Sequence, residues 1–272
     1  MLTILPPARP PVPGAVLAGN RDANRHRAAL RGLPGLAPRA AHDRPLAVVG
    51  GGASAAAHLD EILAWPGEVM AINGAFDWLR AGRVPDWHLI LDPQPLCAGF
   101  VRHPSRLAQY LVADCVDPSV LDALDGQRVT LWQPQSAAAE GPDAVPGGPS
   151  AMTRAPVLAA MLGYRRIDLF GADCCYPVDP VAPAHVWDRD PAGWWCLVGC
   201  DGMLWRSQPQ LLRQAVFLAE ALPAMRAAGL DIRLRGQGHL AAAMLRTGGR
   251  WFDALAATDI LETGDMLEPA EP

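Results

Sequence analysis

The stretch that decides the fold of this chain is Leu46-Ala47-Val48-Val49-Gly50-Gly51-Gly52-Ala53-Ser54. Its apolar half predicts a short buried strand, and its glycine half predicts a tight turn into a helix. Glycines let a backbone approach a phosphate closely, and Ser54 can cap the next helix while the N-terminus of that helix faces the anion. The stretch departs from the dinucleotide fingerprint G-x-G-x-x-G, because alanine stands at position 55. A tight turn without a ligand is the alternative.

The same alternation of apolar runs and turns continues along the chain. It predicts strands at 46–49, 69–72, 88–91, 110–113, 129–131, 167–170 and 232–234, and helices near 55–64, 75–81, 119–124, 151–162 and 209–228. Short apolar strands that alternate with helices are typical of an α/β, Rossmann-like, mostly parallel sheet with helices on both faces. We expect a Pro/Arg-rich N-terminal extension over 1–45, a nucleotide-binding transferase domain over 46–250 and an acidic tail over 251–272.

Polar residues stand at the C-terminal ends of several predicted strands. Asn73 follows the second strand, Asp92 the third, and Asp173 the strand at 167–170. Ligands of open α/β sheets bind beyond the strand C-termini, so these residues together predict one nucleotide-type pocket. The amide of Asn73 can contact a ribose hydroxyl or a base edge, or it can cap the next helix instead. Asp92 can hold a ribose or a divalent ion.

Two further segments are candidates for the same pocket. Gly147-Gly148-Pro149-Ser150 precedes an apolar helix and predicts a second anion site at a helix N-terminus, with Ser150 as the cap. The segment 174–207 follows Asp173 directly and is long and rich in tryptophan, which predicts a lid over the pocket or a packed loop. Within it, His185 can serve as a general base, and a packing histidine is the alternative.

All 23 basic residues are arginine, and the chain has no lysine. This excludes a Walker A lysine, a Schiff-base lysine and lysine-bound pyridoxal phosphate. Any phosphate charge must therefore meet arginine, backbone N–H groups, a helix N-terminus or a metal ion.

Composition also bears on partners and location. Residues 1–44 contain seven arginines and two aspartates, a net charge of +5 within a chain whose net charge is −5. Nucleic acid is not the expected partner, because this segment has no aromatic residues for base stacking. No apolar run approaches the roughly 18 residues that a membrane span needs, and we expect a cytoplasmic protein.

The six cysteines stand at 97, 115, 174, 175, 196 and 200. Their spacing lacks a second C-x2-C pair, so reduced thiols are expected. A zinc site of Cys196, Cys200 and His185 is the alternative.

The ordered motifs resemble a known superfamily over roughly residues 46–246. The motifs are Gly50-Gly51-Gly52-Ala53-Ser54, Ile72-Asn73-Gly74, Pro85-Asp86-Trp87, Leu91-Asp92-Pro93, Gly147-Gly148-Pro149-Ser150 and Leu162-Gly163-Tyr164 with Leu169-Phe170-Gly171-Ala172-Asp173. The superfamily contains archaeal 6-hydroxymethylpterin diphosphokinases and bacterial motility accessory factors, proposed to glycosylate flagellin with nonulosonic acids. More distantly, the chain is similar to bacterial sialyltransferases that use CMP-sialic acid, which carry asparagine at the position of Gly51.

The resemblance implies a nucleotide-dependent transferase. Its site would combine nucleotide contacts from Gly50, Gly51, Gly52, Ser54, Asn73 and Asp92, phosphate contacts from Gly148 and Ser150, and catalytic roles for Asp173 and His185. The first expectation is a glycosyltransferase that takes a CMP-activated nonulosonic sugar and requires no cofactor. The second is a diphosphokinase in which Asp92 and Asp173 bind Mg²⁺ and ATP reacts with a pterin-like alcohol. A nucleotide-binding factor without catalysis is the third.

Overall fold

The computed structural model describes residues 12–135, 143–176, 196–236 and 239–248. All seven predicted strands form within these ranges, and three short strands join them. The strands are Leu46–Val49 (β1), Glu68–Ile72 (β2), Trp87–Ile90 (β3), Gln109–Ala113 (β4), Arg128–Pro134 (β5), Ala144–Val145 (β6), Arg166–Phe170 (β7), Cys196–Cys200 (β8), Met203–Ser207 (β9) and Asp231–Leu234 (β10).

Eight of these strands form one parallel sheet in the order β10-β7-β1-β2-β3-β4-β5-β6, while β8 and β9 form a separate antiparallel hairpin. From β1 the chain proceeds outward through β2 to β6, and it then returns to the other side of β1 with β7. The strand order therefore reverses between β1 and β7. In doubly wound sheets this reversal opens a crevice beyond the strand C-termini, where ligands bind. The α/β, Rossmann-like prediction is confirmed.

The five predicted helical stretches also form, one of them as two short helices that meet at His58. The helices are Gly14–Arg31 (α1), Ser54–Ala57 (α2), Leu59–Leu63 (α3), Ala75–Leu79 (α4), Pro118–Ala123 (α5), Ala151–Met161 (α6), Pro209–Ala227 (α7) and Leu240–Arg246 (α8), with a 3-10 helix at Pro95–Val101. Among the described residues, no helix is long and apolar enough to cross a membrane.

The central strand β1 explains why short apolar runs predict this sheet. All four of its residues are completely buried. Helices cover both faces of a parallel sheet, so a central strand carries apolar side chains on both faces and reads as a continuous apolar run.

The N-terminal extension packs against the sheet through α1. The side-chain amide of Asn24 donates to the carbonyl oxygens of Asp114 (3.0 Å) and Val116 (2.7 Å), just after β4. Arg25 pairs with the carboxylate of Asp114 at 2.8 Å. After α1, an isolated parallel β-bridge pairs Gly35 with Leu131 of β5. Arginine from this segment thus forms contacts within the protein, with the loop after β4.

Two of the motifs that carry the resemblance lie at the N-terminal edge of the sheet, away from the strand C-termini. The indole of Trp87 donates to Glu68 (2.8 Å) and to the hydroxyl oxygen of Tyr164 (2.9 Å), and the Tyr164 hydroxyl donates to Glu68. The carboxylate of Asp86 accepts from the backbone N–H of Val69 at 2.9 Å. These residues tie the starts of β2 and β3 to the turn before β7, which is a structural role.

Candidate functional site

A cavity of about 160 Å³ lies beyond the C-terminal ends of β1, β2 and β7. Its position matches the reversal of strand order, where the fold provides a ligand crevice. Five segments surround it: the first glycine turn, the end of β2, the start of α6, the turn after β7 and one face of α7. The lining residues are Gly50, Gly51, Gly52, Ile72, Asn73, Ser150, Ala151, Met152, Gly171, Ala172, Cys174, Cys175, Leu211 and Gln214.

The first glycine turn is shaped by its contact with the turn after β7. Gly52 donates its N–H to the carbonyl oxygen of Gly171 at 2.9 Å. A Cβ atom at Gly52 would lie 2.6 Å from both that oxygen and the Cγ atom of Asp173. Glycine is therefore required at position 52 by the close approach of two backbone turns, whatever ligand the cavity holds. Its neighbour Gly51 lines the same cavity.

Asp173 is buried beneath this turn and holds the start of α2. Its side chain is 2% exposed. One carboxylate oxygen accepts the backbone N–H of Ser54 at 2.8 Å, and the other accepts the Ser54 hydroxyl. The prediction that Ser54 caps the helix needs correction, because Ser54 is the first residue of α2, Ala53 stands at the N-cap, and the Ser54 hydroxyl donates to Asp173. The capping acceptor comes from Asp173, and neither residue lines the cavity.

His239 and Cys175 lie on the other side of Asp173. The Nδ1 atom of His239 is 3.7 Å from an Asp173 oxygen and 3.7 Å from the sulfur of Cys175. Burial raises the pKa of Cys175 to about 12, so this thiol stays protonated at neutral pH. Cys175 therefore contributes an uncharged wall to the cavity, and it is not poised as a nucleophile.

Asn73 lines the cavity in a strained conformation. Its φ of 50° places it in the left-handed region, which it shares with only two other non-glycine residues of the described chain, Cys174 and Asp201. Its side-chain oxygen is buried and has no hydrogen-bond partner among the described residues. Buried polar atoms are normally paired, so the unpaired oxygen marks Asn73 as a candidate ligand contact.

The start of α6 forms the opposite wall. Ser150 is the N-cap, as the sequence predicts: its hydroxyl accepts from the N–H of Thr153 at 3.3 Å, and the Thr153 hydroxyl accepts from the N–H of Ser150 at 3.0 Å. Ser150 also lines the cavity, together with Ala151 and Met152. The positive end of the α6 dipole therefore borders the cavity.

Gly148 lies behind this wall and outside the cavity lining. A Cβ atom there would come within 2.6 Å of Thr153 and 2.7 Å of the Phe217 ring. The close packing of α6 on α7 thus requires glycine at this position. Gly148 would influence a phosphate through the placement of α6, since it is not among the residues that line the cavity.

The described residues that line the cavity carry no charged side chain. An anionic group placed there would meet the N-terminus of α6, whereas the N–H groups of Gly50 and Gly52 already donate to Phe170 and Gly171. Arg154 is buried in the first turns of α6 but does not line the cavity, and its guanidinium donates to the carbonyl oxygens of Val145 (2.6 Å) and Gln135 (2.9 Å). Burial lowers the pKa of Arg154, but an arginine side chain remains charged in proteins.

Asp92 lies apart from the cavity, in the loop after β3. One of its carboxylate oxygens accepts the backbone N–H of Gln94 at 3.0 Å, which is a local turn. The strands that precede Asp92 and Asp173 are three strand spacings apart, about 14 Å. Both oxygens of Asp173 already bind Ser54. A magnesium ion bound directly by both carboxylates does not fit this arrangement, and no group of three or more potential ligands occurs among the described residues.

His185 lies outside the described residues, and so do Trp187, Trp194 and Trp195 of the predicted lid. The zinc alternative also depends on His185 and on the undescribed side chain of Cys196. The described cysteines, which include Cys200, are free thiols. Residues 196–207 of the predicted lid segment form the β8–β9 hairpin.

No local sequence motif predicts several of the residues that line the cavity. Leu211 and Gln214 come from α7, about 160 residues after the first glycine turn, and no local pattern marks them. Cys174 and Cys175 could have been found, because they follow directly on the motif Gly171-Ala172-Asp173 at the end of a predicted strand.

Comparison with known proteins agrees with this architecture. The chain is similar to the solved structure of MAf glycosyltransferase from Magnetospirillum magneticum AMB-1, with a TM-score of 0.59 and 18% sequence identity. The similarity covers 88% of this chain and 44% of that protein, so this chain spans less than half of its length. At this identity the similarity shows a shared fold. A comparison with curated proteins gave no match.

A family model described as 6-hydroxymethylpterin diphosphokinase MptE-like matches residues 27–179. This range is more than half of the 272-residue chain, and it includes the first glycine turn, Asn73, the start of α6 and the turn after β7. The chain therefore belongs to the MptE-like family.

Proposed function

We propose that the cavity binds part of an activated nucleotide donor and that the protein transfers a group from this donor. The observation that carries the proposal is Asn73, which lines the cavity and whose buried side-chain oxygen has no hydrogen-bond partner among the described residues. A ribose hydroxyl or an amino group of a base would supply the missing donor. The cavity, at about 160 Å³, is smaller than the roughly 300–1,000 Å³ of whole-ligand pockets, so it would receive one portion of the donor.

The rest of the lining supports a phosphate beside that ribose. The glycine turn lines the cavity at Gly50, Gly51 and Gly52, and the N-terminus of α6 presents the positive end of a helix of 11 residues. The N–H groups of Gly50 and Gly52 already donate to Phe170 and Gly171, so the N–H donors would come mainly from the start of α6. A helix N-terminus without a charged side chain suits a singly charged phosphodiester such as the one in a CMP-activated sugar.

The leading form of the proposal is glycosyl transfer from a CMP-activated nonulosonic sugar. His185 would take the proton of the acceptor hydroxyl as that oxygen bonds to the anomeric carbon of the sugar. The bond from this carbon to the phosphate oxygen breaks, and CMP leaves with the electron pair. The backbone N–H groups at the start of α6 would stabilise the charge on the leaving phosphate. The shared fold with a MAf glycosyltransferase supports this form.

Diphosphoryl transfer is the second form, and the family description favours it. ATP would give its terminal diphosphate to the hydroxymethyl group of a pterin-like alcohol, and AMP would leave. Such transfers use Mg²⁺ to neutralise phosphate charge. Since Asp92 and Asp173 do not converge on the cavity, we assign no step to a metal that these two residues share. A nucleotide-binding factor without catalysis remains the third form.

A thermal-shift screen of CMP, CDP, ATP and GTP, each with and without Mg²⁺, tests the shared proposal first. We expect at least one nucleotide to raise the melting temperature of the wild-type protein. Product analysis then separates the two reactions: CMP release from a CMP-activated nonulosonic sugar, or AMP release from ATP with 6-hydroxymethylpterin and Mg²⁺. Binding without either product would favour the factor without catalysis.

Asn73→Ala is the sharpest variant for the binding site, and Asp201→Ala is its matched control. Asp201 also has a left-handed φ, of 55°, but it lies in the exposed turn of the β8–β9 hairpin. Both substitutions place alanine in the same strained conformation, and only the first removes the cavity amide. We expect nucleotide affinity to fall about tenfold in Asn73→Ala and to stay unchanged in Asp201→Ala. Equal affinities in the two variants would contradict the assigned role of Asn73.

A further inference from the structure

His88 is a fully buried residue of β3 that lies behind Asn73 and outside the cavity lining. Its Nε2 atom is 2.9 Å from the carbonyl oxygen of Asn73. The ring stacks on Phe76 of α4, with centroids 4.4 Å apart and an angle of 9° between the planes. One imidazole thus connects the end of β2, the start of α4 and the middle of the sheet.

The protonation state of this ring follows from its surroundings. A carbonyl oxygen can only accept, so Nε2 must carry the proton. Burial lowers the pKa of His88 to about 3, which keeps the ring neutral and leaves Nδ1 without a proton at physiological pH. Nδ1 has no hydrogen-bond partner among the described residues. An apolar side chain could fill this position and would leave no unpaired nitrogen buried. What histidine provides, and an apolar residue does not, is the hydrogen bond to the Asn73 carbonyl.

We propose that His88 is a positioning residue for the donor site, whose Nε2–H holds the Asn73 carbonyl and thereby keeps Asn73 in the left-handed conformation in which it lines the cavity. Asparagine adopts the left-handed region more readily than other non-glycine residues, but the conformation still costs free energy and depends on surrounding contacts to hold it. The N–H of Asn73 donates to Leu89 at 3.2 Å, and its carbonyl also accepts from Phe76 at 3.2 Å, both longer than the His88 bond. This inference rests on the proposed function, because it serves the same nucleotide.

The first test compares His88→Phe with His88→Gln. Phenylalanine keeps the ring and its stacking on Phe76 but removes the donor, whereas glutamine restores an N–H donor near the position of Nε2. The probe is the nucleotide that gives the largest thermal shift among CMP, CDP, ATP and GTP. We expect His88→Phe to weaken its affinity about five- to tenfold and His88→Gln to recover part of that loss. Unchanged affinity in a folded His88→Phe protein would overturn the proposal.

The second test places His88→Phe in an Asn73→Gly background. Glycine adopts a positive φ without strain and has no side-chain amide, so nothing is left for His88 to position. We expect His88→Phe to have no further effect on nucleotide affinity in this background. An equal loss in both backgrounds would mean that His88 acts through general packing, and it would refute the positioning role.

An NMR measurement on the wild-type protein separates this inference from the proposed function. If no nucleotide binds, the proposed function fails, but the ¹⁵N spectrum of His88 still reports which ring nitrogen carries the proton. A proton on Nε2, together with a side-chain amide signal of Asn73 that broadens in His88→Phe, would support the positioning role independently. A proton on Nδ1 would overturn it.

Discussion

Asp173→Asn should destabilise the protein strongly, although the position of Asp173 at a strand end suggests a ligand-binding residue. The wild-type carboxylate is 2% exposed and accepts two hydrogen bonds from Ser54, one from the backbone N–H at 2.8 Å and one from the hydroxyl. Asparagine offers only one acceptor oxygen. Its NH₂ group would therefore face one of the two Ser54 donors.

The magnitude follows from these two contacts. A hydrogen bond to a charged group contributes roughly 1.5–3 kcal/mol, and an unpaired buried polar group costs roughly 1–3 kcal/mol. The two effects overlap, and we expect a loss of about 3 kcal/mol. This is a large part of the roughly 5–15 kcal/mol by which a native domain is stable. Asp122→Asn is the matched control, since that carboxylate is 59% exposed and pairs with Arg27 at the surface. Such a pair contributes about 0–1 kcal/mol.

Urea unfolding of the wild type, Asp173→Asn, Ser54→Ala and the double variant measures the effect and its origin. Residues that share a hydrogen bond couple by roughly 0.5–3 kcal/mol, so the two single losses should not add. A loss for Asp173→Asn no greater than that for Asp122→Asn would refute the structural role of the Asp173 carboxylate. Additive losses would show that Ser54 and Asp173 act independently.

Three further predictions follow from the site and from the N-terminal edge of the sheet. Gly51→Val should abolish nucleotide binding in a folded protein. Gly52→Val should instead lower the melting temperature even without ligand, because a Cβ atom at position 52 would lie 2.6 Å from the Gly171 carbonyl oxygen and from Asp173. Equal melting temperatures of the two variants would contradict this contrast. His185→Ala should reduce turnover sharply while nucleotide affinity holds within about threefold, and full activity would remove His185 from the mechanism. Burial by itself would raise the pKa of Glu68, but hydrogen bonds from Tyr164 and Trp87 lower it overall. The pKa of Glu68 is thus lower in the folded than in the unfolded protein, so its carboxylate stabilises the fold above about pH 5, and this stabilisation is lost as the pH falls. Glu68→Gln lacks this carboxylate, so its stability should decrease less than that of the wild type when the protein is unfolded by acid.

The sheet could be predicted from the chain because its strands are buried on both faces. A strand such as β1 shows as a continuous apolar run, and a turn signal follows at Gly50. The strands that escaped prediction lack this signature: β6 has two residues, and β8 and β9 form a hairpin outside the main sheet. The helix α8 also escaped, although its alanine-rich sequence favours a helix.

The general place of the cavity was also predictable, since ligands bind beyond the strand C-termini in this class of fold. Gly51, Asn73 and Ser150 were singled out by their positions, and the structure brings all three to one cavity. The individual role of other residues was not predictable in the same way. A position at the end of a strand does not show whether a side chain faces the cavity or is buried beneath the neighbouring turn. Asp173 is buried beneath the first glycine turn.

The sequence alone determined which segments become buried strands, where their turns fall and which classes of lysine chemistry are excluded, because these properties depend on local periodicity and on residue type. The order of the strands in the sheet decided which distant residues come into contact. Ser54 and Asp173 are 119 positions apart, yet β1 and β7 are neighbours in the sheet, and this adjacency makes the carboxylate a cap. Likewise, His88 reaches the Asn73 carbonyl only because β3 pairs with β2 in one register. Contacts of this kind depend on which strands pair and in which register, and local sequence patterns do not specify either one.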